Sequence, residues 1–496
     1  MALGLQNSDL VTRLRGAELS RRLILVEAIR RRIRPGGARV PPPPEERAAF
    51  EHAFAALARH ERSHPARARS LLARPQVGVW AVRCLRALET GTEVDLAYLT
   101  RLMNDVVEGR ERAGPPRLRI AAGRSRLEVV LDGADPYLDV YGPRAGTPDA
   151  AATVIWRRRL AEAMRSLARY DPVTAGALAA GLDTVVPLVE GEGGRPAGAS
   201  SGMAFGAVAL SLPPDARSCL DGLVHEFQHV LLGAVIDHFP LLTGDRRAVY
   251  SPWREDPRPL SGLLAGCHAQ VALLDLWSRG GEPGRFARWI GPTTEAARTL
   301  WTSGALTEEG RVFVGAMRAR LTGLAARTIS GEAARVGADA ANDHRLRWRL
   351  RNLRPDGGAM DALADAWQAG APPIPVPTEV RTGDAAALAP GRRSRLLELG
   401  CGGYGEHPGP PRSAADRALL AGRYGEAAEA YKSRLGRPGD LDAWAGLALC
   451  RTRTDPASAL GRRPEVVAGL HGRLLARTGR PADPDRLGAW LARGPA

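Results

Sequence analysis

The segment from Ala204 to His229 constrains the fold of this chain more than any other. Ala204-Phe-Gly-Ala-Val-Ala-Leu-Ser-Leu212 is apolar and small, stops at Pro213-Pro214, and is followed after Asp215 by a long apolar stretch containing Leu223-Val-His-Glu-Phe-Gln-His229. Adjacent prolines carry no N–H for a ladder, so the first run reads as a glycine-containing strand ending at Leu212. Asp215 has an N-cap side chain, and the apolar pattern behind it predicts a helix from about Ala216 to Asp237. On that helix His225 and His229 share a face, so both imidazoles can reach one ion. Glu226 lies beside them, within reach of a metal-bound water or a ligand. The bland alternative is a structural helix with two satisfied histidines, which conflicts with the cost of burying imidazoles without partners.

Two histidines do not hold a catalytic metal alone. A third histidine six residues beyond the second would fall at position 235, which is valine. His268, in Gly262-Leu-Leu-Ala-Gly-Cys-His-Ala-Gln270, is the expected third ligand, because small residues around it would let two helices approach closely. His238, Glu255, Asp256, Gln270 and Asp275 remain alternatives. The intervening Tyr250-Ser-Pro-Trp-Arg-Glu-Asp-Pro-Arg-Pro-Leu260 is stiffened by proline, so Arg254 or Arg258 can be pre-positioned to hold a carboxylate in bidentate fashion. Pairing of these arginines with Glu255, Asp256 or solvent is the competing expectation. A second arginine-rich element, Asp343 to Pro355, puts His344, Trp348 and Arg351 along one helix face. It reads as a contact for an acidic ligand or peptide, or as a snorkelling surface helix.

Around this centre the expected class is mainly α with a small β-sheet, a zincin-like strand plus H-E-x-x-H helix set in a multi-helix body. Residues 1–112 read as a helical region, with helical spacing over Leu10 to Ile33, Phe50 to Leu72 and Val77 to Leu88. Residues 113–370 form the expected metal-binding catalytic domain. Strand-like alternation at Leu118-Arg-Ile-Ala and Leu127 to Asp132 opens it, and helices are predicted over 259–279, 283–290, 293–302, 307–327 and 331–352. A Pro-rich linker, 371–390, begins with Ala371-Pro-Pro-Ile-Pro-Val-Pro. The tail, 391–496, reads as paired helices from Ala414 to Arg453. Its Leu420-Ala-Gly-Arg-Tyr-Gly-Glu-Ala-Ala-Glu-Ala-Tyr431, followed by Ala443-Trp-Ala-Gly-Leu-Ala, resembles a tetratricopeptide unit, too short an array to stand alone.

The formal charge of +15 raises nucleic-acid binding. Its distribution argues against that partner: Lys432 is the single lysine, and the arginines are interspersed with acids along amphipathic segments. Five dispersed cysteines, Cys84, Cys219, Cys267, Cys401 and Cys450, form no metal-cluster run and suit a reducing compartment. Asn7, Asp9 and Arg13 interrupt the first apolar residues, so no signal peptide is expected. No stretch of about 18 apolar residues free of charge is legible either. The expectation is a cytoplasmic protein with no membrane and no nucleic-acid partner; oligomeric state is not readable.

The combination of Leu223-Val-His-Glu-Phe-Gln-His229 with Tyr250 to Gly266 and Ala269 to Trp277 resembles the H-E-x-x-H proteins associated with ribosomally made, post-translationally modified peptides. Pro75-Gln-Val-Gly-Val-Trp80 and Trp348-Arg-Leu-Arg-Asn352 look like further marks of that family, and the likeness covers about residues 10 to 365. It implies a 2-oxoglutarate-dependent peptide β-hydroxylase using non-haem Fe(II), O2 and a ribosomally synthesised precursor peptide, and yielding succinate and carbon dioxide. By the same likeness His225 and His229 would be ligands, with His268 proposed as the third. Arg258 or Arg254 would anchor 2-oxoglutarate, and Glu226 would orient a ligand or water. Two rival readings use the same residues: a zinc metallopeptidase with Glu226 as general base, and a non-catalytic peptide-binding adaptor.

Overall fold

The computed structural model describes residues 7–37, 39–110, 114–191, 196–244, 247–381, 391–435 and 440–494. Positions 111 and 112 of the expected N-terminal region and 382–390 of the expected linker lie outside them. The chain is mainly helical with small sheets, and it forms two compact units. The first comprises Met1–Leu241 and Glu308–Ala316, the second Leu242–Thr307 and Met317–Ala496. The division after Leu241 falls inside the expected 113–370 span.

The first unit begins with five helices, α1 (Ser8–Arg32), α2 (Pro44–Ser63), α3 (Pro65–Leu72), α4 (Pro75–Thr90) and α5 (Leu96–Val107). Strands β1 (Arg117–Ala122) and β2 (Ser125–Leu131) form a hairpin, followed by α6 (Ala150–Tyr170) and α7 (Pro172–Gly181). Then come β3 (Thr184–Leu188), β4 (Gly198–Ala199), β5 (Ala207–Ser211) and α8 (Ala216–His238). The five strands make one sheet in the order β1-β2-β3-β5-β4. β2, β3 and β5 run parallel, while β1 and β4 run antiparallel to their neighbours. β1 alternates exposed and buried residues, whereas β3 and β5 are buried throughout, as expected of an outer and two central strands.

Two helices, α6 and α7, interrupt the strand-like region that Leu118 to Asp132 opens. α6 is an amphipathic helix whose Trp156, Leu160, Met164 and Leu167 are buried at helical spacing. Asp149 caps its start, and Asp171 caps α7 through Thr174. β5 starts later than the expected Ala204 because Gly206 takes a φ of +94° and ends a turn.

The Pro75 to Trp80 run has a packing role here. Gly78 lets α4 approach the turn before β5, since a Cβ there would sit 2.5 Å from the Met203 carbonyl oxygen. The Gln76 amide donates to Asp132 Oδ2 at 3.0 Å, and Trp80 Nε1 donates to the Asp95 carbonyl at 2.6 Å. The buried Arg22 guanidinium on α1 donates to the carbonyls of Leu72, Ala73 and Arg74 at 3.1, 2.6 and 3.1 Å and to Phe205 at 2.7 Å. It thereby satisfies the free carbonyl end of α3.

The second unit contains a short pair, β6 (Ala248–Val249) with β7 (Arg258–Pro259), leading into α9 (Leu260–Gly280). α10 (Pro283–Thr302) follows, α11 (Glu308–Ala325) contributes to both units, and α12 (Gly331–Asn352) comes next. α10 is one helix where two were expected: Pro292 lies inside it without ending it. A proline removes one backbone bond, and packing of α10 along both α9 and α12 outweighs that loss. β8 (Leu353–Pro355) and β9 (Thr378–Val380) pair across α13 (Gly357–Gln368).

The remaining helices are α14 (Arg392–Gly400), α15 (Ala414–Leu420), α16 (Tyr424–Lys432), α17 (Leu441–Thr454), α18 (Ala459–Arg462), α19 (Pro464–Thr478) and α20 (Pro484–Leu491). α16 and α17 pack closely at Gly446, where a Cβ would lie 2.4 Å from the Tyr431 ring. This tail packs on α12 and α13 through a shared apolar core that includes Leu346, Leu363, Leu447 and Leu470. The arginine-rich element is therefore a packed helix, correcting both expectations for it. Arg347 pairs with Asp442 at 2.9 Å, Arg349 with Glu465 at 2.6 Å, and Arg351 with Glu255 at 3.3 Å.

Candidate metal centre

The predicted strand, proline break and helix are present. The Asp215 carboxylate accepts the Ser218 N–H at 2.7 Å, and the Ser218 hydroxyl faces the Asp215 N–H at 3.4 Å, closing a capping box. Glycines then set how deeply α8 beds on the sheet and on α7. A Cβ at Gly222 would touch Leu210 at 2.9 Å, and one at Gly181 would touch the Phe227 ring at 2.7 Å. With Leu223, Phe227, Val230 and Leu231 buried, rotation of the helix is fixed.

His225 Nε2 and His229 Nε2 lie 3.1 Å apart, with ring planes at 82°. If both bound one ion at about 2.1 Å, this separation would subtend about 95°, nearer to adjacent octahedral positions than to tetrahedral ones. The same distance suits a single N–H···N hydrogen bond between neutral rings. Both rings retain some exposure, yet burial pushes the His225 pKa down to about 3 and that of His229 to about 4. They are neutral at ordinary pH, the state a metal ligand requires.

Glu226 is buried, and burial raises its carboxyl to about 7, against the lowering effect of a hydrogen bond with Ser200. β4 passes directly over this carboxyl. A Cβ at Gly198 would lie 2.6 Å from Glu226 Oε1, so only glycine lets the strand pass this closely. Gly198 and Ser200 were not read from sequence. A two-residue strand carries no periodicity, and the only cue was a run of small residues, Gly198-Ala-Ser-Ser-Gly202.

Among the described residues no group of three or more His, Cys, Asp or Glu side chains is placed to hold a metal ion. His225, Glu226 and His229 come together in the first unit; His268, Arg254 and Arg258 belong to the second. No family model matches this sequence, and no curated protein does.

The other ligand candidates have identifiable surroundings. His238 is exposed at the far end of α8, about 20 Å along the axis from His225, and cannot join the pair. Asp275 is held by Arg320 and by Arg279. His268 is buried on α9. Two residues before it, a Cβ on Gly266 would lie 2.1 Å from the Trp253 ring, so this glycine admits the Tyr250–Asp256 loop. Arg258 Nε and Arg254 Nε both meet the Asp256 carboxylate, at 3.0 and 3.3 Å. Two guanidinium groups share one carboxylate there, leaving one positive charge in surplus.

The same loop is anchored by Tyr250, whose hydroxyl is 3.0 Å from His344 Nδ1 and whose ring meets Trp348 edge-on. Burial pushes the His344 pKa down to about 3, so its 3.9 Å approach to Glu255 is not an ion pair at neutral pH. Between pH 6.5 and 3 the unfolded chain takes up a proton at this position that the folded chain refuses. Stability therefore falls as pH drops through that window, by up to about 1.4 kcal/mol per unit. Urea unfolding of His344→Gln across pH 7 to 4 should show a shallower loss than the parent; an identical slope would rule out this assignment.

α8 and α9 are each long and apolar enough to cross a membrane by length and composition alone, each with a window of mean hydropathy 1.2, although α8 carries Asp221 and Glu226 and α9 carries Asp275. Those windows are 72% and 83% buried inside the protein. Their apolar surface is used as core.

Proposed function

We propose that this chain is a metal-dependent enzyme that modifies peptides, an Fe(II)- and 2-oxoglutarate-dependent hydroxylase acting at side-chain β-carbons of a ribosomally made precursor. The observation that carries it is the convergence of two neutral imidazoles, His225 and His229, with the Glu226 carboxyl buried alongside. The substrate class and co-substrate come from the family resemblance. A mononuclear iron bound there would supply a centre at which 2-oxoglutarate and O2 react. His225 and His229 would hold it. Glu226, pinned beneath β4 and contacted by the Ser200 hydroxyl, holds or releases a proton near neutral pH next to that centre. The surplus charge of Arg254 and Arg258 over Asp256 suits an acidic co-substrate. We propose a cytoplasmic setting, with no nucleic-acid partner.

One observation favours a second reading. A carboxyl raised to about 7 beside two histidines also suits a general base, so a zinc peptidase remains the competitor. Anaerobic Fe(II) titration in the presence of 2-oxoglutarate separates the two. A visible charge-transfer band and a gain of one oxygen by a co-expressed precursor peptide are expected. Glu226→Gln should keep the band. Absence of a band, tightly held zinc, and peptide cleavage abolished in Glu226→Gln would transfer the assignment to the peptidase.

A further inference from the structure

We infer that the side-chain amide of Gln228 is reserved for a ligand: its Nε2 donates to a carboxylate oxygen of the small co-substrate held at His225 and His229. This rests on the reading of that pair as a centre that takes 2-oxoglutarate.

Successive side chains of α8 leave it in different directions. Glu226 lies under Gly198 of β4, and the Phe227 ring lies against Gly181 at the end of α7. Gln228 is turned about 200° from Glu226 and shares neither contact. It stands three residues beyond His225, and side chains at that spacing are neighbours on a helix, with Cβ atoms about 5–6 Å apart. A glutamine side chain can span that gap. An oxygen of a ligand carried on an ion at His225 therefore falls within its reach.

Gln228 is 1% exposed, and its Nε2 has no hydrogen-bond partner. A buried donor left without a partner costs its desolvation, and native interiors hold few such groups. Packing does not call for an amide here. The buried residues around it on α8, Val224, Phe227, Leu231 and Leu232, are all apolar, and an apolar side chain of the same length would fill position 228 without that cost. What the amide adds is a neutral donor beside the histidine pair. A donor is met by an acceptor, and a carboxylate oxygen is the strongest one that a 2-oxo acid brings.

A second copy of the motif provides a contrast within the same chain. His60-Glu-Arg-Ser-His64 has the same spacing at the end of α2. There His64 has left the helix, at φ −133° and ψ 58°, and the two rings stack face to face, 4.4 Å apart at 13°. Ser63, in the position corresponding to Gln228, is exposed and donates to the His60 carbonyl at 3.2 Å. Of the two copies, the one on α8 combines converging Nε2 atoms with a buried amide whose donor is unused.

The test uses the full chain loaded anaerobically with Fe(II) and titrated with 2-oxoglutarate, read by the visible charge-transfer band. Gln228→Met keeps the length of the side chain and removes the donor; Gln228→Glu keeps the shape and sets a carboxylate against a carboxylate. Gln228→Met should weaken 2-oxoglutarate binding by about tenfold and Gln228→Glu by more, while Fe(II) affinity without 2-oxoglutarate stays that of the parent. In the ligand-free chain Gln228→Met should raise the urea midpoint, because the unpaired amide is gone. A residue that only packs would lower that midpoint and leave the titration unmoved. Unchanged 2-oxoglutarate affinity in Gln228→Met, or a lowered midpoint, overturns the inference. A parent chain that binds Fe(II) but forms no band with 2-oxoglutarate removes the function proposed above and this inference with it; a parent band that Gln228→Met reproduces at the same concentrations removes this inference alone.

Discussion

His225→Ala should leave the chain folded and lower its affinity for iron by more than about 100-fold, since loss of a residue that merely orients a ligand already costs about 10- to 100-fold. The two Nε2 atoms act as one chelating pair 3.1 Å apart. His229 alone offers an ion one bond in place of two, so His229→Ala should behave like His225→Ala and the double variant should hold no metal at this site. Folding should be little affected, because each ring keeps some exposure and burial of an imidazole costs free energy that alanine does not incur. Bound metal per chain, with the visible band in the presence of 2-oxoglutarate, reads the effect; circular dichroism controls for the fold. If both single variants hold metal like the parent, the ion is elsewhere and the proposed function falls.

The largest expected effect on stability lies in the second unit. Asp343 and Arg393 have side chains only 1% and 3% exposed, and Arg393 Nη2 meets Asp343 Oδ1 at 2.8 Å. The Ser394 hydroxyl donates to the other Asp343 oxygen, and Arg393 also donates to the Asp442 carbonyl at 2.9 Å. Burial works to raise the Asp343 pKa, but Arg393 and Arg347 hold it below the usual carboxylate range. Arg393→Ala would leave that carboxylate buried without its main partner, costing about 3–5 kcal/mol. Asp343→Leu combined with Arg393→Met should recover most of the loss, because the desolvation of both charges disappears together. Urea unfolding measures both. A cost for Arg393→Ala below about 0.5 kcal/mol would show that the pair contributes little.

What was legible in the sequence had local causes. The proline pair, the Asp215 cap and the apolar spacing behind it act within a few residues, and α8 begins where they place it. α12 begins and ends as predicted for the same reason. α6 was legible but overlooked: Asp149 and the spacing of Trp156, Leu160, Met164 and Leu167 were available, and the neighbouring strands drew the reading toward a period of two. Other features depend on partners distant in sequence. Nothing near Gly266 signals that Trp253 occupies the space above it, and nothing near Gly198 signals that Glu226 lies beneath. The arginines of α12 read as solvent-facing because their carboxylates, Asp442 and Glu465, come from the tail. The histidine pair was legible because the α-helix itself sets its spacing; a third ligand would depend on tertiary structure.

Arg22 bears on how this protein is made. Its partner carbonyl at Phe205 is synthesised 183 residues later, about 10 to 40 s at ordinary elongation rates. Until then the first helices can gather around the Leu72 to Arg74 carbonyls while one guanidinium hydrogen-bonding position waits in water. The turn that enters β5 closes this contact just before α8 emerges. The metal capture proposed for His225 and His229 would thereby fall late in synthesis, after the helical platform that supports the sheet has formed.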